Sequence, residues 1–427
     1  MTRKHSFLRP AFVLVTMLAA VLGASAAFAG TGPAKPGTDG YAKSTTIGSV
    51  DPQFLTGART VAHWTFQYTD PSNGVTYPIT MVGSDPRQGG SSTVKTEIIP
   101  LKINFVAGNQ DLRALNAFYG INATPLTWTA DPTAGSPSDV ANTLASPIFG
   151  SYHYDADLGG DTGQYGDVFM RSQFNKLGSS YHVKLSNAGV LPTVTIDVPQ
   201  SQGVAYVRPA GATAGIVDVT WFSAKLQNLM NGLHIDPTTV PIFVTHNVLL
   251  YDGNDYRNCC ILGYHGAGMP VGHGAGSANG GGNNPVQTFI YAAYTTPNTY
   301  SGFDQPTRGL ADIHALSHEV AEWLDDPFVN NAVKPWLTPT APQYGCTGVL
   351  ETGDPVVGVW FPLPGNPDPA GHNVWHPEDE VFANWFGHGG VEAQGLGSWD
   401  GRKTFMGPRT TSLPGGYAGF ANYSSGC

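Results

Sequence analysis

The run Asp312-Ile313-His314-Ala315-Leu316-Ser317-His318-Glu319-Val320-Ala321-Glu322-Trp323-Leu324-Asp325-Asp326-Pro327 constrains this chain more than any other segment. Its spacing predicts a helix from about Asp312 to Asp326, stopped by Pro327, which cannot continue an α-helix. Ile313, Leu316, Val320, Trp323 and Leu324 fall on one face, while His314, His318, Glu319, Glu322 and Asp325 fall on the other. The apolar face needs a sheet to bury against. The polar face needs a different explanation, because no Lys or Arg occurs between Arg308 and Lys334. Solvated helix faces usually mix charge signs so that residues at i and i+4 attract. Asp325 and Asp326 also sit at the C-terminal end, where the helix dipole disfavours anions by about 0.3–1 kcal/mol each. Something positive should compensate, and a bound cation would do so.

His318 and Glu322 stand one turn apart on one face and can grip a single ion, as the two histidines of a zincin H-E-x-x-H helix do. Glu319 directly follows the first ligand, where that motif carries its general base. Here the motif reads H-E-x-x-E. The carboxylate in the second position favours harder ions such as manganese or calcium more than a histidine would. His314 with His318 forms a rival pair, and two imidazoles suit zinc better than an imidazole and a carboxylate. All three residues cannot easily serve one ion, because His314 and Glu322 lie about 12 Å apart along the helix axis. The preferred pair is therefore His318 with Glu322, leaving His314 beside the shell or facing solvent. A third ligand is expected from Leu350-Glu351-Thr352-Gly353-Asp354-Pro355, with Glu351 first and Asp354 second. His265, His372, His376 and His388 are weaker candidates, each read first as an ordinary hydrogen-bonded histidine.

The strands around this helix are read from local pattern. Thr60–Tyr68 and Val75–Val82, joined through Asn73-Gly74, predict a hairpin. Ile98–Phe105, Tyr181–Leu185 and Val194–Val198 read as further strands, and Val168–Phe174 as a short helix. Val240–Tyr251 and Val286–Tyr294 are rich in strand formers. Between them the glycine-dense stretch Gly266–Asn284 reads as a long loop. The expected class is α+β, with a β-rich half at 57–238 and a zincin-like half at 239–427 whose helix lies across a mixed sheet. Residues 57–427 also fit one compact domain.

The N-terminus carries Arg3, Lys4 and Arg9, then an apolar run from Ala11 to about Leu22, then Ala27-Phe28-Ala29 before Gly30. That is the order of a secretory signal, with cleavage expected after Ala29 and a flexible lead-in over 30–56. Losing those three cations would take the formal charge from −10 to −13. Such a balance argues against nucleic acid and anionic membrane surfaces as partners. Export makes the four cysteines disulfide candidates. Because adjacent cysteines rarely bond to each other, one of Cys259 and Cys260 is expected to reach Cys346 and the other Cys427.

Ser317-His318-Glu319-Val320-Ala321-Glu322, then Asp326-Pro327, Asn330 or Asn331, and Glu351-Thr352-Gly353-Asp354, resemble the plant exordium (phosphate-induced) proteins and related bacterial secreted proteins. Cys260 followed by Gly263-Tyr264-His265 is similar to an upstream element of that family. The resemblance spans roughly residues 240–360 and departs in the longer loop before Glu351 and in the added His314. It implies an extracellular protein with a zincin-like helix, and implies little about substrate. Together these readings predict a secreted, peptidase-like, metal-dependent hydrolase. His318, Glu322 and Glu351 would hold a divalent metal, zinc in first place, with Glu319 as general base. Its substrate would be a polypeptide or cell-wall material. The alternative is a non-catalytic extracellular protein with a structural metal or acidic face. A weaker reading is a sugar-binding cell-wall protein, for which the nine Trp would supply stacking surfaces.

Overall fold

The computed structural model describes residues 49–208, 211–253, 255–257, 259–269, 285–297, 299, 310–337, 346–356, 358–366, 373–411 and 427. The expected signal segment and most of the expected lead-in lie outside these residues. Within the last part of that lead-in, Val50 and Leu55 are buried. Asn330 Nδ2 donates to the Val50 carbonyl at 2.5 Å.

Strands β1 (His63–Thr69) and β2 (Thr76–Val82) pair antiparallel as the expected hairpin. The long strand β3 (Ser91–Phe105) organises the main sheet. On one side it pairs in parallel with β9 (Thr239–His246) and then antiparallel with β4 (Trp128–Ala130). On its other side it pairs in parallel with β5 (His182–Val190) and β6 (Val194–Asp197). Beyond β9 lie β13 (Gln287–Tyr294), parallel to it, and the antiparallel edge strand β12 (Gly263–Gly268). This mixed seven-stranded sheet thus takes strands from both sides of residue 238. A second sheet orders β11 (Cys259–Ile261), β10 (Val248–Tyr251), β8 (Thr213–Asp218) and β7 (Gly203–Val207). Strands β14 (Ala332–Leu337) and β15 (Cys346–Val349) form a separate pair.

Helices cover both faces of the main sheet, so β9 and β13 read as nearly continuous apolar runs. On one face, α3 (Tyr165–Gln173) and α5 (His314–Asp325) join Ile98, Ile242 and Ile290 in one core. Gly166 allows the close approach of those helices, because a Cβ there would sit 2.6 Å from Leu324 Cδ1. On the other face, α4 (Val219–Leu233) buries Phe222, Leu226 and Met230 against Phe243, Phe289 and Tyr291. Of two shorter helices, α1 (Arg113–Tyr119) lies between β3 and β4 and α2 (Asp139–Ala145) between β4 and β5.

Several expectations need correction. The stretch read as one strand, Val240–Tyr251, is two strands in different sheets, broken at Asn247 with φ 50°. The Asn247 carboxamide oxygen accepts from Thr296 N at 2.8 Å and Thr299 Oγ1 at 2.9 Å, fixing that corner. Gly266–Gly268, expected in the long loop, belong to β12, and 270–284 lie outside the described residues. Helix α4 went unnoticed although Phe222, Leu226 and Met230 recur every four residues. The disulfide pairing also differs: Cys259 pairs with Cys260 across a cis peptide that brings their Cα atoms to 3.0 Å, and Cys346 pairs with Cys427.

Asn331 joins α5 to the hairpin. Its amide donates to the Thr80 and Asp325 carbonyls at 2.8 and 2.7 Å, and its oxygen accepts from Thr80 N at 2.8 Å. It is buried, so each group left unpaired costs about 1–3 kcal/mol. Asn331→Ala should lower the urea midpoint by at least the equivalent of one such loss. An unchanged midpoint would show that this junction carries no stability.

Candidate metal centre

Helix α5 carries the site, and its polar face is as buried as its apolar face. His314, His318, Glu319, Glu322 and Asp325 are all at most 2% exposed. The expected ligands divide into two groups that share Glu322. His318, Glu322 and Asp354 form one, and His265, Glu322 and Glu351 the other, with ligand atoms in each within 4.8 Å of one another. Sequence reasoning joined His318 and Glu322 to Glu351. In the structure His318 and Glu322 meet Asp354, while Glu351 joins Glu322 beside His265.

In the first group, His318 Nε2 lies 3.2 Å from Glu322 Oε1 and 3.8 Å from Asp354 Oδ1. Neither His318 Nε2 nor Asp354 Oδ1 makes a hydrogen bond, although both are buried. Metal bonds of about 2.0–2.1 Å place tetrahedral donors about 3.3–3.4 Å apart, close to this spacing. Glu322 Oε1 is fixed by the Gly353 and Asp354 backbone N–H groups at 3.1 and 3.3 Å. Gly353 is required here because a Cβ would overlap the His318 imidazole.

The rest of the centre sets histidine tautomers. Glu378 Oε2 lies 3.0 Å from His318 Nδ1 and 2.9 Å from His314 Nε2, and Oε1 accepts from Gly358 N at 2.7 Å. Burial pushes the Glu378 carboxyl up, but the two histidines outweigh it and hold it at about 2. As an anion it can only accept, so His318 donates from Nδ1 and turns Nε2 toward Glu322 and Asp354. A carboxylate behind a histidine is the usual support of a metal ligand. Burial lowers the proton affinity of His318, yet Glu322 and Glu378 raise it further, to well above 6.5. Glu378 was not recognised from sequence. Its signal is the acidic triplet Glu378-Asp379-Glu380 between Trp375 and Val381-Phe382, a carboxylate run amid core residues.

His265, read as a weak candidate, faces α5 from edge strand β12 and is fully buried. Its Nε2 donates to the Asp326 carbonyl at 3.1 Å, which leaves the Nδ1 lone pair 3.4 Å from Glu319 Oε2 and 3.7 Å from Glu322 Oε2. Burial drives its pKa to about 4, so the ring is neutral near pH 7. Burial, with Glu322 and Asp354 nearby, raises the Glu319 carboxyl well above its ordinary range against the pull of His318. Glu319 packs on Gly263, where a Cβ would stand 2.7 Å from its Cγ. The anions at the helix end find no side-chain cation among the described residues. Instead, Asp326 accepts the Asn330 and Asn331 N–H groups at 3.0 and 3.1 Å, and Asp325 accepts Gln173 Nε2 at 2.7 Å. Of the other histidines, His376 Nδ1 meets Asp312 at 2.6 Å and His388 Nδ1 meets Asp70 at 2.8 Å, both away from the two groups. His372 lies outside the described residues.

Asp379 offers a pH test apart from the ligands. Burial raises its pKa to about 7 against the bonds donated by Thr410 and Met406. Between about pH 4 and 7 the folded state keeps a proton that the unfolded state has released, so this contribution to stability falls as pH rises through that window. Asp379→Asn removes the dependence. The difference in Tm, variant minus parent, should increase from pH 5 to about 7 and then level off; a difference independent of pH would contradict the assignment.

No protein-family model, curated protein or solved structure matches this chain. The chemistry of the centre therefore rests on its own geometry.

Proposed function

We propose that this protein is an exported, peptidase-like, metal-dependent hydrolase. His318, Glu322 and a carboxylate of the 351–354 loop hold a divalent cation, with zinc the first candidate, and Glu319 is the general base. The observation that carries this reading is the convergence of His318 Nε2 and Asp354 Oδ1, both buried without hydrogen bonds, on Glu322. Buried polar atoms are rarely left unpaired, and a cation would satisfy them together. Once bound, it would supply Lewis-acid polarisation of a carbonyl and of water.

The remaining chemistry belongs to the chain. Glu378 fixes His318 in the tautomer that presents Nε2. Gly353 and Asp354 hold Glu322 in place through their N–H groups. Glu319, next to His318 on the helix, is the base that would accept a proton from water and pass it to a leaving amine. The signal-like residues 1–29 and the two cysteine pairs suit an oxidising, extracellular setting.

A second reading, a non-catalytic extracellular protein in the manner of the exordium family, is favoured by one observation. His318, Glu322, Glu351 and Asp354 are all at most 3% exposed, and structural metal sites are closed in this way. Glu319→Gln and Glu322→Gln separate the two. The first should keep the bound metal while hydrolysis of a peptide library falls by about 10²–10⁴-fold. The second should weaken metal binding itself. Equal activity in the parent and Glu319→Gln would remove the catalytic role. A metal-loaded parent inactive on every peptide would leave the structural reading.

A further inference from the structure

We infer that the centre holds two divalent cations bridged by the Glu322 carboxylate; this rests on the metal reading above and extends it from one ion to two. The two oxygens of Glu322 serve different groups. Oε1 lies 3.2 Å from His318 Nε2, on the side of Asp354. Oε2 lies 3.7 Å from His265 Nδ1, and Glu351 Oε2 comes within 4.0 Å of the same ring at its Nε2. Glu322 is fully buried, yet Oε2 makes no hydrogen bond. One ion bound through His318, Asp354 and Oε1 leaves that oxygen unsatisfied, whereas a second ion beside His265 satisfies it.

The donor sets match. Each group offers one imidazole, one terminal carboxylate and one oxygen of the shared Glu322. Both imidazoles are anchored through the opposite nitrogen, His318 by Glu378 and His265 by the Asp326 carbonyl. That anchoring presents His318 Nε2 and His265 Nδ1 to Glu322 from two sides. Charge points the same way. Glu319, Glu322, Glu351 and Asp354 bring four carboxylates into one buried volume, and Lys334 is the sole Lys or Arg between Arg308 and Arg402. A carboxylate bridge holds two such ions about 3.5–4 Å apart, the spacing of hydrolases that act on amide and phosphoester bonds. The mixed nitrogen and oxygen donors suit zinc, and the carboxylates also suit a harder ion such as manganese.

The test is metal stoichiometry on the full chain stripped with chelator, then titrated with Zn²⁺ by calorimetry and checked by elemental analysis. Two equivalents per chain are expected. His265→Ala and Asp354→Asn should each retain one equivalent, and Glu322→Gln should weaken both sites. Mn²⁺ loaded to two equivalents should give the electron paramagnetic resonance spectrum of a coupled pair. Circular dichroism of each variant establishes that it is folded, and Glu351→Gln replaces His265→Ala if the latter is not. One equivalent in the parent, weakened alike by Asp354→Asn and His265→Ala, overturns the pair and leaves the single-ion reading standing. Two uncoupled ions, only one of them sensitive to Glu322→Gln, overturn the bridge. No bound metal overturns both this inference and the function on which it rests.

Discussion

The burial of like charge on one face of α5 is the constraint around which the rest of this structure is arranged. A helix with His314, His318, Glu319, Glu322 and Asp325 on one side would ordinarily turn that side to water. Here the side is sealed by β12, the 351–356 loop and the Glu378 segment. An isolated buried carboxylate is so unfavourable that each must find a proton, a donor or a cation.

The chain uses different means at different carboxylates. Glu378 is kept ionised between two imidazoles, and Asp326 is met by backbone N–H groups while burial raises its pKa to about 8. Asp325 receives a carboxamide from α3. Glu322 and Asp354 retain buried oxygens that none of these means satisfies. The close approaches at Gly263 and Gly353 bring the edge strand and the loop within reach of those atoms. Sheet, helix and loop are therefore coupled through one volume of charge, and the geometry of each would change if that charge were removed.

Much of this was legible in the sequence, and the reasons for the exceptions are physical. The bounds of α5, its apolar stripe and the absence of nearby cations follow from local pattern, as do the hairpin and the apolar strands β9 and β13. Local pattern could not show that the polar face is buried, because a helical wheel assigns faces and not their surroundings. Glu378 escaped for the same reason, and His265 ranked only among the weaker candidates: both reach the site from strand and loop segments far from α5 in sequence. Glu351 and Asp354 differ by three residues, and only the turn Asp354–Val356, with the Gly353 and Asp354 N–H groups on Glu322, decides which one faces His318. The cysteine pairing is a matter of which sulfurs the folded chain brings together, which composition does not encode.

The central claim is that a divalent cation completes this buried cluster. Thermal unfolding of the metal-stripped chain against free Zn²⁺ at fixed pH tests it most directly, since an ion bound only by the folded state adds RT ln(1 + [L]/Kd) to stability. The account predicts a Tm that climbs steadily with the logarithm of free Zn²⁺ in the parent and much less in Glu322→Gln. A parent whose Tm is the same in chelator and in excess Zn²⁺, Mn²⁺ or Ca²⁺ would contradict it, and the cluster would then be a protonated network of buried histidines and carboxylates.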